Sequence, residues 1–436
     1  MTVTSGIAVR MAKETTFGTA LTGSGVYTDL RLVSEDLSPN IEYAESAAIR
    51  SDGQIVDMIR TDAQSGGTIG FEMVNDATIH DELLQSVLLN ADWSTYVTAT
   101  TAATVNMSFK KATATVPIKI VLDGVSWNAN FTVGSWILIE GTTNFNGIAK
   151  IANNATTTLH VVGFTPNPPA DEDGLSGAGV KVTPLADIMN GVATPQGWTI
   201  ERDDTDDSDT FHVFPGMSVT SWDLSVPTSG MITNSFSFEG GLMSTETTSR
   251  DSGTPVAAPT TSPMISGDVT HFFEGDPKLL NILTNGTTAG NWLEQPMRVL
   301  DFNLTVTPNL RQRKIVGTLG PAFAPARGDI GVTGSVRCYF NLDADGAAST
   351  RTNNALVDKM LNDTASGLAI AFKDANGDGY IIDLPRVQFT SVNTTTPGKS
   401  EDVIAEIDFQ AYRNPDDVNG DTNISGTTIR IARGNF

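Results

Sequence analysis

The chain has 436 residues, 39% of them hydrophobic and 18% charged, which predicts a globular protein of two or three domains and excludes a disordered or fibrous one. The formal net charge of −23 excludes a protein that holds nucleic acid or anionic lipid by charge, because phosphate groups are bound by Lys and Arg. Cys338 is the single cysteine, which excludes an intrachain disulfide and a thiolate metal cluster.

The sequence gives no sign of export or of membrane insertion. Residues 1–13 lack the basic and apolar regions of a secretion signal. No apolar run approaches the length that spans a bilayer, so we expect no membrane partner. We therefore expect a protein that is made and kept in a cytoplasm, or in a particle assembled there.

The first clear elements are a strand at residues 65–73 and a short helix after it. Ile69, Phe71 and Met73 alternate along the strand, which predicts one buried face. Asp76 can cap the helix. The apolar side of this helix comprises Leu83, Leu84, Val87 and Leu88.

Residues 98–184 then form a strand-rich insert. Asn, Gly and Pro clusters separate four strand-like runs, at 118–121, 135–139, 147–151 and 158–162. We expect a small all-β module on the outside of the first domain, closed by a soft stretch at 166–179 and dispensable for assembly. Trp127 and Trp136 can form a sugar-stacking platform or pack in the core of this module, and core packing is the favoured interpretation.

The C-terminal half repeats the pattern of the N-terminal half. The repeated strand matches Gly67 with Gly334, Ile69 with Val336, Phe71 with Cys338, and Met73 with Phe340. A second helix, capped by Thr352 or Asn353, would carry Leu356, Val357, Met360 and Leu361. Further matches pair 38–40 with 307–309, 214–221 with 384–391, and Phe236 and Phe238 with Ile407 and Phe409. Because the matches keep the same order, we interpret them as an internal duplication.

These patterns predict a mainly β, α+β chain with two tandem domains, each with a short flanking helix. The first domain comprises residues 1–97 and 185–243, interrupted by the insert at 98–184. Residues 244–263, rich in Ser, Thr and Pro, are predicted to be a linker of low order. The second domain comprises 264–436, although residues 264–295 fit either domain.

Three segments of the chain resemble those of siphophage tail tube proteins. They are SPNIEYAESAAIRSDGQIVDMIRTDAQSGGTIGFEM (38–73), PGMSVTSWDLSVPTSGMITNSFSFEGG (215–241) and, within the insert, FTVGSWILIEGTTNFNGIAKI (131–151). The resemblance implies tube domains that are β-sandwiches or barrels flanked by a helix. It also implies that sheets of adjacent subunits join around a channel, and that rings stack into a tube through which DNA leaves.

The same resemblance implies a structural protein of the virion, assembled in the host cytoplasm and without catalysis of its own. Head-to-tail contacts close a ring at a definite number of subunits. If the family ring has six tube domains, a duplicated chain forms it as a homotrimer, a pseudo-hexamer. The implied partners are further copies of the chain, the tape measure, tail terminator and distal tail proteins, and viral DNA that passes without specific binding.

Acidic side chains on the non-core faces of the repeated strands are the candidate channel-lining residues. They are Glu72, Glu239, Glu406 and Asp408. A channel that carries DNA must not bind phosphate, and acidic or neutral walls satisfy this condition. The alternative interpretation is that these four are ordinary solvent-facing carboxylates.

The remaining motifs predict no catalytic, cofactor or metal site. The segments 374–379, 417–421 and 343–346 imitate calcium loops. The position that requires a bidentate Glu is Pro385 when counted from Asp374, so a β-hairpin turn explains that segment better. The four histidines are isolated, and no phosphate-binding loop is present.

Two other classes of protein stay open at this point. The Thr- and Asn-rich composition and the insert also suit a β-rich adhesin or carbohydrate-binding surface protein. A hydrolase carried on phage particles is the second alternative, although the sequence offers no nucleophile or paired-acid motif.

Overall fold

In the computed structural model the described residues are 7–49, 51–55, 57–76, 78–94, 99–100, 106–111, 118–127, 130–162, 169–175, 179–204, 210–275, 299–339, 360–395, 402–414 and 426–436. They are mainly β, in agreement with the predicted fold class. The elements before the insert are β1 (Ile7–Lys13), β2 (Thr28–Asp29), β3 (Leu32–Glu35), β4 (Ser38–Glu45), β5 (Met58–Glu72) and α1 (Ile79–Leu88).

The insert contributes eight strands. They are β6 (Ala99–Thr100), β7 (Met107–Lys110), β8 (Ile118–Leu122), β9 (Trp136–Glu140), β10 (Gly147–Ala155), β11 (Thr158–Val162), β12 (Glu172–Leu175) and β13 (Lys181–Pro184). These strands form their own antiparallel sheet, in the order β12-β7-β8-β11-β10-β9-β13-β6. The four predicted runs are all strands of this sheet.

The strands after the insert complete the first repeated part of the chain and then form the second. They are β14 (Ala186–Met189), β15 (Trp198–Asp204), β16 (Phe211–Val226), β17 (Thr233–Gly240), β18 (Ser244–Glu246), β19 (Val269–Gly275), β20 (Val299–Thr307), β21 (Arg311–Arg313), β22 (Phe323–Ala326), β23 (Gly331–Tyr339), β24 (Ser366–Lys373), β25 (Asp378–Thr395), β26 (Ile404–Ala411) and β27 (Arg430–Asn435). All except β21 and β22, which pair with each other, join the strands before the insert in one hydrogen-bonded network.

The first copy, defined here as β1–β5, α1 and β15–β18, is built on β5. One edge of β5 pairs with β3 and β4, and the other edge pairs with β17, which in turn pairs with β16. The N-terminal half of β16 then pairs with β15, and β15 pairs with β1. The predicted inward residues Ile69, Phe71 and Met73 are buried in the core.

Helix α1 packs into the same core. The Asp76 carboxylate accepts hydrogen bonds from the backbone N–H of Thr78 at 2.8 Å and of His80 at 3.4 Å, so it satisfies free donors of the first turn as predicted. The apolar side is fully buried, as also predicted: Leu83, Leu84, Val87 and Leu88. The helix ends at Leu88, and its C-cap Leu89 adopts a left-handed conformation with φ of 52°.

The second copy, defined here as β19, β20 and β23–β27, repeats this arrangement strand for strand. Strand β23 pairs with β20 and β26, β26 pairs with β25, and the N-terminal half of β25 pairs with β24. The register is also repeated, since Phe236 lies opposite Ile69 and Ile407 lies opposite Val336.

A shared irregularity supports common ancestry of the two copies. The pairing of β16 with β17 shifts between Val219 and Ser221, and the pairing of β25 with β26 shifts between Phe389 and Ser391. These positions are equivalent in the predicted duplication. A bulge adds one unpaired residue and bends its strand, so its repetition shows that the two strands are equivalent in detail.

Two details of the predicted duplication need correction. Ser38 lies opposite Gly66 and Thr305 lies opposite Thr333, so Ser38 corresponds to Thr305 and not to Thr307. In the second helix, residues 352–359 lie outside the described residues. Leu361 is 71% exposed, unlike its buried counterpart Leu88, so its predicted place on the apolar side is wrong.

The segment 244–263 is more ordered than its composition predicted. Strand β18 pairs with β16, and Asp251 and Val256 form bridges to Gly23 and Thr28. The Asp251 carboxylate also accepts hydrogen bonds from the backbone N–H of Gly25 and Tyr27. The expectation of low order is therefore wrong, because backbone pairing and a buried carboxylate fix this segment onto the first copy.

The residues after 263, which by sequence fit either domain, contact first one copy and then the other. The backbone of Met264 bonds to Met73 and Ile232 of the first copy. Strand β19, which follows, pairs with β24 of the second copy. The predicted domain limits themselves stay a prediction.

The insert lies against the second copy, although it interrupts the sequence of the first. Trp136, Ile148 and Leu185 pack with Ala371 and Ile381 in one buried cluster. The placement outside the first domain is thus corrected. Deletion of the insert would expose this face of the second copy, which argues against the predicted dispensability of the insert.

Candidate assembly surfaces

The two copies join edge to edge within the chain. The C-terminal half of β16 pairs with β20, so the sheet of the first copy continues into that of the second. Thr305 Oγ1 donates a hydrogen bond to Asp223 Oδ1 at 2.6 Å across this joint, and Ser225 Oγ donates to Asn303 Oδ1 at 2.9 Å. The result is one continuous sheet with a buried face and a polar face.

All four candidate channel-lining carboxylates lie on the polar face. Directly opposed residues of antiparallel strands share a face, so a row can be followed across the sheet. One such row runs from Glu72 to Asp408 through Thr233, Ser225, Asn303 and Ser335. Glu406 and Glu239 lie on the same side of their strands, as the predicted alternation requires.

The four carboxylates differ in their surroundings. Glu406 and Asp408 are exposed, and Asp408 accepts a hydrogen bond from Ser391 Oγ at 2.5 Å. Glu72 is half-buried and forms an ion pair with Arg31 at 2.8 Å. The face also carries uncharged Ser, Thr and Asn, and one cation beside the candidates: Arg337 lies opposite Glu406 and forms an ion pair with Asp301 at 2.8 Å. Whether it lines a channel stays a prediction.

Two strand edges are left without a strand partner at the ends of this sheet, within the described part of the chain. One is the outer edge of β3 and β4, whose other edge is taken by β5. The second is the C-terminal half of β25, beyond the residues that pair with β24. A free edge is a template for pairing with another chain. On the edge of β3 and β4, the N–H of Leu37 donates to the Glu35 carboxylate at 2.7 Å and its C=O accepts from Arg202 at 3.4 Å, so a pairing strand would replace these two side-chain hydrogen bonds.

Two neighbouring hairpins expose apolar side chains. The hairpin of β4 and β5 and the hairpin of β21 and β22 contact each other through the ion pair of Lys314 with Asp62. Their exposed apolar side chains are Tyr43, Ile49, Ile55, Met58, Ile59, Ile315, Val316, Leu319 and Phe323. Nine exposed apolar side chains on two adjoining hairpins make this region a candidate interaction surface.

Sequence reasoning left these hairpins and the free edges out. The available signal was the equal length of the two connections, from Ser38 to Gly66 and from Thr305 to Thr333, together with isolated apolar residues such as Val316 in a polar context. A strand without a partner cannot be recognised from its own sequence, because pairing is a property of the assembled sheet.

The motifs that resemble calcium-binding or sugar-binding sites have structural roles in the described part of the chain. Residues 374–377 form the turn between β24 and β25, where Asp374 Oδ1 accepts hydrogen bonds from the N–H of Asn376 and Asp378. The hairpin interpretation is confirmed. The other two calcium-like segments lie outside the described residues. Trp127 and Trp136 are both buried, so neither offers a sugar-stacking surface.

A family model described as phage tail tube protein matches residues 4–411. The chain belongs to the phage tail tube protein family. No curated protein matches the sequence.

Membership identifies a structural component of a phage tail and agrees with the β-rich fold described above. It fits the duplicated sheet and the polar face, and a tail tube protein assembles with copies of itself and with other tail proteins. Among the described residues, no helix has both the length and the apolar character needed to cross a membrane.

Proposed function

We propose that this tail tube protein polymerises into stacked rings that form the tube of a long non-contractile tail, and that the tube is the channel for DNA ejection. The observation that carries the proposal is the joint of β16 with β20, in which two tube-type sheets already continue into one another. Repetition of this joint between chains turns an open sheet into a closed one, which removes the exposed edges.

The proposed chain count combines the duplication with the six tube domains per ring that the family resemblance implies. Each chain supplies two equivalent sheets, so a ring of six sheets contains three chains. Contacts of the head-to-tail kind close only when the rotation at each joint divides the circle. We therefore propose a homotrimer that acts as a pseudo-hexamer, assembled in the host cytoplasm.

Stacking and passage of DNA use the other two surfaces. The exposed apolar side chains of the two hairpins suit contact with the next ring, because burial of apolar surface drives association. The polar face, with Glu406 and Asp408 exposed, suits a lumen that repels phosphate. The tape measure, tail terminator and distal tail proteins are the proposed tail partners.

Negative-stain microscopy of the purified protein tests the proposal. We expect rings or tubes with a central channel, at protein concentrations high enough for assembly. A β-rich adhesin, or a hydrolase carried on the particle, would give monomers or compact oligomers without a channel, and this result would overturn the proposal.

A further inference from the structure

The joint inside the chain defines a register that can be transferred to a joint between chains. Strand β16 meets β20 with Trp222 opposite Val306, Leu224 opposite Leu304, and Val226 opposite Phe302. Asp223 lies opposite Thr305 on the polar face, where their side chains form a hydrogen bond. The joint therefore has an apolar row on one side and a hydrogen-bonded polar row on the other.

Each strand of this joint has a counterpart at the opposite end of the sheet, and one edge of each counterpart has no strand partner among the described residues. Strand β25 is the counterpart of β16. In the first copy Asp223 of β16 lies opposite Ser235 of β17, and at the equivalent positions of the second copy Asn393 of β25 lies opposite Glu406 of β26. The segment of β3 and β4 is the counterpart of β20. Ser38 of β4 lies opposite Gly66 of β5, and at the equivalent positions Thr305 of β20 lies opposite Thr333 of β23. In each counterpart, the free edge is equivalent to the edge that β16 or β20 uses in the internal joint.

We propose that the C-terminal half of β25 pairs antiparallel with β3 and β4 of a second copy of this chain, in the register of the β16–β20 joint. This inference rests on the proposed ring and specifies its contact between chains. Transfer of the register places Asn393 opposite Ser38, Thr394 opposite Leu37, and Val392 opposite Pro39 of the next chain.

The side chains at these positions suit a contact that forms after folding. Asn393 and Ser38 are exposed, and both can hydrogen-bond across the joint in place of Asp223 and Thr305. Thr394 stands where the internal joint has the buried Leu224. The exposed edge of β25 is therefore less apolar than its internal counterpart, which limits non-specific association of the free chain.

Engineered disulfides test the register. A disulfide joins Cβ atoms about 3.5–4.5 Å apart. Directly opposed residues, with Cβ atoms about 4.5–5.5 Å apart, can reach this distance with a small adjustment, whereas diagonal neighbours at about 7–8 Å cannot. The test variant is N393C with S38C, and its matched control is N393C with N40C, displaced by two residues on the same face. The native Cys338 does not interfere, because burial raises the pKa of its thiol to about 11.

Assembled protein is oxidised and separated on a non-reducing denaturing gel. We expect N393C with S38C to give a ladder that ends at the closed ring, and we expect this ladder to be lost in the displaced control. The pair D223C with T305C, at the internal joint, reports on oxidation, because it shifts the mobility of the monomer without forming a ladder.

The outcomes separate this inference from the proposed function. Rings or tubes with no ladder, or with more cross-linking in the displaced control, would overturn the register while leaving the tube intact. Absence of rings in the unmodified protein would overturn the proposed function and this inference together. A ladder in the matched pair, with rings preserved, supports both.

Discussion

Lys150 Nζ lies 2.6 Å from Asp383 Oδ2, and this fully buried ion pair joins the insert to the second copy. Trp136 Nε1 donates a hydrogen bond to the same carboxylate oxygen at 3.0 Å. Burial lowers the pKa of Lys150, and the neighbouring carboxylate opposes that shift. Because a buried charge requires its partner, the insert and the second copy depend on each other.

The pair predicts strong coupling between two substitutions. K150M leaves Asp383 buried without its counter-ion and should lower the free energy of unfolding by about 3–5 kcal/mol. The double variant K150M with D383N should lose clearly less, because Asn can still accept the hydrogen bond from Trp136 and no charge is buried alone. Urea unfolding of the two single variants and the double variant measures the coupling. Additive losses would show that the two side chains do not interact in solution.

His80 predicts a dependence of stability on pH. The imidazole is buried, its Nε2 lies 3.2 Å from Asn234 Oδ1, and burial lowers the pKa below the ordinary value of 6.5. The unfolded chain therefore binds a proton more readily than the folded chain as the pH falls below 6.5, so the free energy of unfolding decreases in that range.

The variant H80Q isolates this contribution, because Gln cannot be protonated while the carboxylates of the chain titrate in both proteins. Thermal melts from pH 7 downwards should show a steeper loss for the unmodified protein than for H80Q. Parallel curves would mean that His80 is protonated equally in the folded and unfolded chains.

The two exposed hairpins predict a separation of ring formation from stacking. Ile49 and Val316 are fully exposed, so I49D with V316D should fold normally. Contact between rings should then be lost, because it would bury the introduced carboxylates. Sedimentation and microscopy should show single rings in place of tubes. L361D, at an exposed leucine outside the hairpins, is the matched control and should form tubes.

The polar face predicts that its charge governs the passage of DNA. E406K with D408K would place cations along the proposed lumen, and attraction to phosphate grows with each contact. Particles that carry this variant should eject DNA slowly, and added salt should restore the rate. The neutral variant E406Q with D408N and the insert variant D123K should eject normally. Unchanged ejection from well-formed tubes would place these carboxylates outside the channel.

Periodicity in the sequence predicted the repeated parts of the fold well. Alternation along 403–411 identified the buried and polar faces of β26, and the spacing of Leu83, Leu84, Val87 and Leu88 identified the buried side of α1. These patterns predict the structure correctly because the spacing of apolar residues within one short segment determines which face of it is buried.

The contacts between distant segments could not be predicted in the same way. Nothing in the neighbourhood of Lys150 indicates Asp383 as its partner, so the insert was placed on the wrong copy. The stretch around Asp251 has the composition of a loose linker, yet its carboxylate is held by backbone donors of residues 25 and 27. Such contacts depend on the path of the chain in space and leave no local pattern.

End-on views of assembled rings by electron microscopy test the central claim most directly. The sheets of both copies should form a closed wall with six similar segments, whereas the single insert of each chain packs on the second copy and should add three outer lobes. A closed wall with three lobes, and a ring mass of three times 46.2 kDa, is the result we predict. An open or absent wall, or a ring with six lobes, would contradict the account.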